Sequence, residues 1–180
     1  MAKRYVAFLR AINVGGHTVR MNELREHFED LGFEDVATFI ASGNVIFEAA
    51  GGGRRLETRI EHHLEERLGY EVATFVRSID ELEAIPANVP FAPGEIQGDG
   101  HRLYVGFLRE PPASAATDAV RALASDVDAL DVVGRELYWL SRVSMRDSPV
   151  TGVRLEKVIG GPATLRNINT VNRLIAKYGR

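Results

Sequence analysis

A six-residue segment occurs twice in the chain. Residues 5–10 read YVAFLR and residues 104–109 read YVGFLR, so five of six positions match. Both segments are β-prone and mostly apolar, which predicts strands that are buried on both faces. The elements predicted around the two segments follow the same order. The sequence therefore predicts an internal duplication of one α+β unit.

The first half of the chain predicts alternating strands and helices. Apolar residues at helical spacing indicate helices at 21–31 and 56–68, each followed by a glycine at the position of a helix C-cap. The turn residues 42–44 join two short apolar runs into a hairpin. The predicted order is β-α-β-β-α-β, the arrangement of ferredoxin-like folds, with strands at 5–9, 36–40, 45–47 and 72–76.

Residues 79–100 separate this unit from a second one. A short helix is predicted at 79–85, and the prolines and glycines after it are typical of a linker. Residues 101–180 repeat the pattern, but their last segment carries a helical stripe and no strand. The predicted fold class is α+β, with two ferredoxin-like lobes at 1–78 and 101–180, the second modified by a C-terminal helix. Its other elements are strands at 104–109, 127–133 and 136–140 and helices at 114–125 and 153–159.

The chain contains no cysteine. This excludes disulfides, thiolate nucleophiles, iron–sulfur clusters and cysteine-ligated zinc, and it favours a cytoplasmic location. No apolar run reaches the ~18–20 residues of a membrane span, so we expect no membrane partner. Hydrophobic residues make up 45% and charged residues 26% of the chain, a globular mixture that excludes disorder as the main state.

The charge of the chain is unevenly distributed. The net charge of −3 argues against a dedicated polyanion binder. Residues 1–25 carry +4 and residues 141–180 carry +6, whereas residues 26–140 carry −13. If the two ends share a face, that face is basic on an otherwise acidic protein. The alternative is that the charges are scattered over solvated surface.

Three segments resemble the domain of unknown function 1697 family of bacterial proteins. They are residues 8–16 (FLRAINVGG), 40–47 (IASGNVIF) and 163–171 (ATLRNINTV), in the order and spacing expected for that family. The resemblance implies two ferredoxin-like lobes and supplies no function. The chain departs from the family pattern at Ala11 (glycine expected), Ala41 (glutamine expected), Ile168 (tryptophan expected) and 148–151 (SPVT in place of SKLT). If that lysine binds an anion in relatives, this chain has a proline there.

The first candidate site is the segment 10–17, between a strand and a helix. Its small residues let backbone N–H groups approach a ligand, and a helix start favours an anion. Arg10 adds a bidentate contact to phosphate or carboxylate, and Asn13, Gly15 and Gly16 complete the loop. The spacing fits neither a Walker A loop nor a GxGxxG fingerprint. The alternative is that Gly15 and Gly16 only turn the chain.

A second candidate is the hairpin turn at Ser42 and Asn44. Asn and Gly tolerate positive φ, so a tight turn needs no ligand to explain it. In the functional alternative, the Asn44 amide faces the glycine loop and contacts a polar ligand.

The remaining candidates lie in the second half. Arg109 is the repeat equivalent of Arg10, and the two arginines are predicted either to line one cleft or to be ordinary exposed charges. Arg166 adds an anion contact beside a helix start. Asn167 or Asn169 caps the last helix or joins the site.

The histidines show no metal-ligand spacing. His62 and His63 are adjacent on a helix and point in different directions, and His27 and His101 have no neighbours that make a ligand set by spacing. We therefore predict no metal and no cofactor. His17 has no apparent carboxylate partner for acid–base work. The strand aromatics are predicted to be core residues and not base-stacking groups, since no RNP1 pattern occurs; they are Phe8, Phe39, Phe47, Tyr104, Phe107, Tyr138 and Trp139.

Three functions are consistent with these residues. The first is binding of an anionic ligand, a nucleotide, phosphometabolite or nucleic acid, in a basic cleft between the lobes. The second is an enzyme acting on a small phosphorylated or carboxylated substrate, for which no acid–base pair identifies the reaction. The third is an interaction module whose exposed sheet edge pairs with another copy. The sequence favours the first.

Overall fold

The computed structural model describes residues 1–40 and 43–180. The chain divides into two compact units. The first unit comprises Met1–Leu82 together with Tyr178–Arg180, and the second unit comprises Glu83–Lys177. Within the described residues, the strands form two four-stranded antiparallel sheets, one in each unit. The predicted mixture of helices and antiparallel strands is confirmed.

The sheet of the first unit has the strand order β2-β3-β1-β4. β1 is hydrogen-bonded on both sides, and all of its residues from Tyr5 to Leu9 are buried, as its apolar sequence predicts. The elements are β1 (Lys3–Leu9), α1 (Met21–Asp30), β2 (Glu34–Thr38), β3 (Asn44–Ala49), α2 (Gly53–Leu68), β4 (Thr74–Ser78) and α3 (Ile79–Ala84).

Helix α2 carries much of the first core. Leu56, Ile60 and Leu64 recur every four residues, so they form one apolar stripe, and all three are buried in a cluster with residues of β1. The helix ends at Gly69, whose φ of +80° provides the left-handed cap that the sequence predicts.

The polar side of α2 protects the edge of the sheet. β4 is an edge strand, and its outward backbone N–H groups would otherwise be open to another strand. The N–H of Thr74 donates to a carboxylate oxygen of Glu61 (2.9 Å), and that of Val76 donates to Glu57 (2.9 Å). The N–H of Ser78 donates to Glu81 of α3 (2.8 Å). Because these N–H groups already have acceptors, β4 is a poor edge for pairing with a strand of another chain.

The sheet of the second unit has the order β6-β7-β5-β8. A two-residue turn at 134–135 joins β6 and β7, as predicted. A 3₁₀ turn at Pro86–Asn88 and a single helical turn, α4 (Pro93–Ile96), occupy the expected linker. The other elements are β5 (Arg102–Phe107), α5 (Ser114–Arg121), β6 (Asp128–Val133), β7 (Glu136–Ser141), α6 (Gly152–Ile159), β8 (Thr164–Asn167) and α7 (Ile168–Tyr178).

The prediction that the last segment contains no strand is wrong. β8 pairs with β5, with Leu165 opposite Gly106 and Asn167 opposite Tyr104. The strand has four residues and continues directly into α7, so Leu165 and Ile168 happen to stand at helical spacing and conceal it. Other predicted bounds shift by a few residues: α5 ends at Arg121, β4 begins at Thr74, and β2 and β5 each begin and end two residues earlier than predicted.

The repeated segment occupies the same place in both sheets. β1 and β5 each lie between the third strand and the last strand of their unit. The leucine at the same position of each repeated segment donates its backbone N–H to the neighbouring hairpin turn, Leu9 to Gly43 (2.8 Å) and Leu108 to Arg135 (2.9 Å). In the described part of the chain, no helix is long and apolar enough to cross a membrane.

Tyr138 on β7 gives a test of packing in the second unit. Its ring is buried, and its hydroxyl donates to the carbonyl of Ile85 (3.1 Å). Burial, with a smaller contribution from Glu136, raises the pKa of Tyr138 well above the ordinary value of 10.0. The folded state therefore retains a proton that the unfolded state loses above pH 10, so folding stability falls as pH rises through that region.

We expect Tyr138→Phe to cost about 0.5–1.5 kcal/mol at pH 7, because it removes one buried hydrogen bond while the Ile85 carbonyl keeps the bond it accepts from the Asn88 N–H (3.1 Å). Above pH 10 the difference from wild type should shrink by about 1.4 kcal/mol per pH unit. Urea unfolding between pH 7 and 11 measures both effects. Tyr104→Phe is the control, since the Tyr104 hydroxyl makes no hydrogen bond to the described residues. A constant difference at every pH would contradict the account.

Candidate functional site

The glycine loop of the first unit is internally braced. The side-chain oxygen of Asn13 accepts a hydrogen bond from the Val19 backbone (2.7 Å), and the Tyr70 hydroxyl donates to the Ile12 carbonyl (3.0 Å). The ring of His17 stacks on Tyr70 with centroids 3.8 Å apart. Gly15 and Gly16 are exposed at the tip of the loop. Asn13 therefore commits its oxygen to the loop, and its amide nitrogen is the group left for a ligand.

The hairpin turn of the first unit lies against this loop. A Cβ on Gly43 would stand 3.1 Å from side-chain atoms of both Leu9 and Ile12, so only glycine fits comfortably. Asn44 is fully buried, and its amide nitrogen donates to the Phe39 carbonyl (2.9 Å). The structure thus brings the two predicted segments together but uses the Asn44 amide to hold the hairpin. Ser42 lies outside the described residues.

The third predicted segment divides its residues between two roles. The side-chain oxygen of Asn167 accepts a hydrogen bond from the Asn169 backbone (2.9 Å), so Asn167 caps α7 as predicted. The guanidinium of Arg166 is buried within β8, where it donates to the Thr164 hydroxyl (2.8 Å) and the Leu165 carbonyl (2.9 Å). Burial lowers the pKa of Arg166 to about 10.

A cavity of about 240 Å³ opens where α7 begins, and we call it the α7 pocket. It lies beside the start of β5, because antiparallel pairing places the end of β8 there. Asn167 and Asn169 line it, whereas Arg166 does not. Among its described lining residues none is acidic; they are Ile96, His101, Arg102, Leu103, Asn167, Ile168 and Asn169.

Two basic side chains stand at the α7 pocket. Arg102 is exposed and donates one hydrogen bond, to the His101 carbonyl (3.0 Å). The His101 ring packs against Gly98 in the space that a Cβ would fill, and its Nδ1 lies 2.7 Å from the Glu95 carbonyl. Since a carbonyl only accepts, Nδ1 carries the proton, and Nε2 is the ring atom that remains for a ligand.

Arg109 lies elsewhere in the second unit. Arg102 begins β5, whereas Arg109 follows its other end. Seven residues of extended chain span roughly 23 Å, so the two arginines are separated by about that distance. Arg109 therefore does not join the α7 pocket. A cavity of about 230 Å³ in the first unit is lined by residues 2–4, 78–80 and 178–180, and contains none of the predicted site residues.

A buried polar network that no sequence motif indicates holds the loop after β7. The carboxylate of Asp128 accepts from the Trp139 indole (2.7 Å) and from the Ser148 hydroxyl (2.7 Å). Ser148 in turn accepts from the Val150 backbone (3.0 Å). Both oxygens of this carboxylate and the Ser148 hydroxyl are hydrogen-bonded to protein groups, which fits a structural role and not that of a nucleophile.

The strand aromatics are mostly core residues, as predicted. Phe8, Phe47, Phe107, Tyr138 and Trp139 are each 1% exposed or less. A buried ring offers no face to a nucleic-acid base, so these side chains do not form a stacking platform.

One cluster of metal-capable side chains has no signature in the sequence. Among the described residues, His27, Asp30 and His63 form the one group of three whose ligand atoms all lie within 4.8 Å of one another. His27 and Asp30 come from α1, and His63 comes from α2. Because the two histidines are far apart in the sequence, no local spacing reveals the group.

A family model described as "Protein of unknown function (DUF1697)" matches residues 2–138. The chain belongs to the DUF1697 family. The resemblance noted in the sequence is confirmed, and its first two segments lie inside the matched range, whereas residues 163–171 lie beyond it. Membership of DUF1697 assigns no activity.

A solved structure resembles the whole chain. It is the conserved bacterial protein SP0830 from Streptococcus pneumoniae, with a TM-score of 0.74 and 23% sequence identity, covering 97% of each chain. At this identity the likeness concerns the fold alone. No curated protein matches the chain.

Ala11 departs from the glycine expected in DUF1697 proteins, and the backbone explains that expectation. Ala11 has a φ of +54°, in the left-handed region that glycine adopts without steric cost. The glycine loop therefore holds one strained residue directly beside Arg10.

Ala11→Gly should raise the free energy of unfolding by up to about 1 kcal/mol, because relief of the left-handed strain exceeds the extra entropy of the unfolded chain. Chemical denaturation measures the change. Ala176→Gly, at an exposed position inside α7, is the matched control and should lower stability by about 1 kcal/mol. Equal losses in both variants would show that Ala11 is not strained.

Proposed function

We propose that this DUF1697 protein binds a small ligand through a phosphate or carboxylate group in the α7 pocket of the second unit. The observation that carries the proposal is the composition of that pocket, which combines Arg102 with the start of an 11-residue helix and has no acidic residue in its described lining. The first amides of a helix lack helical partners and favour negative charge. An arginine beside them adds a charge-assisted contact.

The dimensions of the pocket favour a small ligand over a polymer. A volume of about 240 Å³ is below the ~300–1,000 Å³ of typical drug-sized sites, and suits a sugar phosphate or part of a nucleotide. The net charge of −3 and the buried aromatics give little support to a nucleic-acid partner. The described lining holds no carboxylate that could pair with His101 for acid–base catalysis, so binding is favoured over turnover.

We further propose that both units are ferredoxin-like and arose by duplication, with lobes at 1–78 and 101–180. The equal strand orders, the five-of-six sequence match and the paired hydrogen bonds of Leu9 and Leu108 support this. The absence of cysteine supports a cytoplasmic location.

Isothermal titration with inorganic phosphate, sugar phosphates, mononucleotides and small carboxylates tests the proposed binding. Arg102→Ala should weaken the best ligand about 10- to 100-fold, as expected for losing a hydrogen bond from a charged group. Arg146→Ala is the control, since it removes the same charge from an exposed position of the second unit. Arg10→Ala reports on the glycine loop.

The outcomes separate the alternatives. An unchanged affinity in Arg102→Ala would contradict binding at the α7 pocket. A larger loss of affinity in Arg10→Ala would indicate that the ligand binds at the glycine loop. Equal losses in Arg102→Ala and Arg146→Ala would indicate general charge attraction. No binding from the whole panel would overturn the proposal, and chemical change of a bound ligand would favour the enzyme alternative.

A further inference from the structure

Two imidazole rings from different helices meet in the first unit. The rings of His27 on α1 and His63 on α2 have centroids 5.6 Å apart and an interplanar angle of 70°. Asp30, in the last turn of α1, stands three residues after His27 and so lies on the same face of that helix. The three side chains bring one ligand atom each to within 4.8 Å of the others.

Both rings bury a nitrogen without satisfying it. Among the described residues, neither Nε2 of His27 nor Nε2 of His63 has a hydrogen-bond partner, and both atoms are inaccessible to solvent. The carboxylate of Glu23 lies 4.0 Å from His27 Nε2, beyond hydrogen-bond distance. Burying a polar atom unpaired costs on the order of 1–3 kcal/mol, so two adjacent cases call for a specific reason.

We propose that His27, Asp30 and His63 bind a divalent transition-metal ion of the zinc class, bridging α1 and α2. Two imidazoles and one carboxylate are a donor set that Zn²⁺ and its neighbours in the first transition series accept, with a fourth position left for water. A metal ion would give the unsatisfied ring nitrogens a common partner. The Mg²⁺ and Ca²⁺ ions prefer all-oxygen ligands and fit this set poorly.

The geometry needs only a small adjustment. Donors about 2.1 Å from a metal in tetrahedral or octahedral geometry lie roughly 3.0–3.4 Å apart, compared with at most 4.8 Å in the structure. Asp30 is the side chain free to move, since it is 53% exposed at the end of its helix. Its contact with Arg67, at 3.7 Å, is an exposed ion pair that is weak enough to exchange for a metal.

The surrounding charges favour a cation. Glu23 approaches His27, and Glu66 stands one helical turn after His62 on α2. Together with Asp30 these carboxylates outnumber the two arginines beside them, Arg67, which pairs with Asp30, and Arg59, which donates to the Leu31 carbonyl (2.9 Å).

The test is Zn²⁺ binding by the whole chain, measured by competition with a chromophoric chelator after treatment with EDTA. His63→Gln should weaken Zn²⁺ by at least about 10-fold, the loss that removing even an indirect partner of a metal ligand produces. His62→Gln is the matched control, because His62 is the adjacent histidine on α2 and its side chain is 72% exposed. Its affinity should equal that of wild type.

Two further measurements keep the test decisive. Asp30→Asn alters an exposed side chain, so it should weaken Zn²⁺ without unfolding the protein, as circular dichroism will show. Saturating Zn²⁺ should raise the melting temperature of wild type by about 5–10 °C at 100 times the Kd, and should raise it less in His63→Gln.

Three results would overturn the proposal. They are wild-type affinity in both His63→Gln and Asp30→Asn, equal losses in His62→Gln and His63→Gln, or a Co²⁺ absorption spectrum that shows no coordination by wild type. Any of these results would mean that the rings of His27 and His63 only pack against each other between α1 and α2.

Discussion

The inner strands β1 and β5 determine where polar side chains can lie in the two units. Each is hydrogen-bonded on both sides, and the apolar residues of β1 are buried on both faces. The buried middle of such a strand offers no side chain to a ligand. Polar chemistry is therefore confined to the strand ends and the helices. The glycine loop follows the end of β1, and the α7 pocket stands at the start of β5.

Helix α2 shows how one element serves several purposes. Leu56, Ile60 and Leu64 bury one stripe in the core, while Glu57 and Glu61, one turn apart, accept the outward N–H groups of β4. Glu57 is fully buried, and its Oε1 lies 3.9 Å from Nη1 of the equally buried Arg77. Two such charges are tolerable inside a protein because each has a partner. The result is a sheet edge without open donors.

Much of the fold could be predicted from local patterns. The repeated strand, the helix-ending Gly69 and the turn at 134–135 each have a local cause, so each was found. β8 was missed because four residues that run into a helix carry too little periodicity.

The candidate site was harder to predict, because burial and contacts between distant residues decide it. The sequence leaves Asn167 and Asn169 open as the cap of the last helix, and the structure assigns that role to Asn167. The sequence does not reveal that Arg166 beside it is enclosed. Arg102 and His101 enter the α7 pocket only through the pairing of β5 with β8. The meeting of His27 with His63 depends on how α1 and α2 pack, which no spacing within either helix expresses.

The central claim is that an anion binds where α7 begins. The most direct measurement is a titration of the ¹⁵N-labelled protein with inorganic phosphate, followed through its backbone amide resonances. The account predicts saturable shifts confined to residues 101–103 and 168–170. Saturable shifts at Gly15 and Gly16, or small shifts spread over the whole surface, would contradict it.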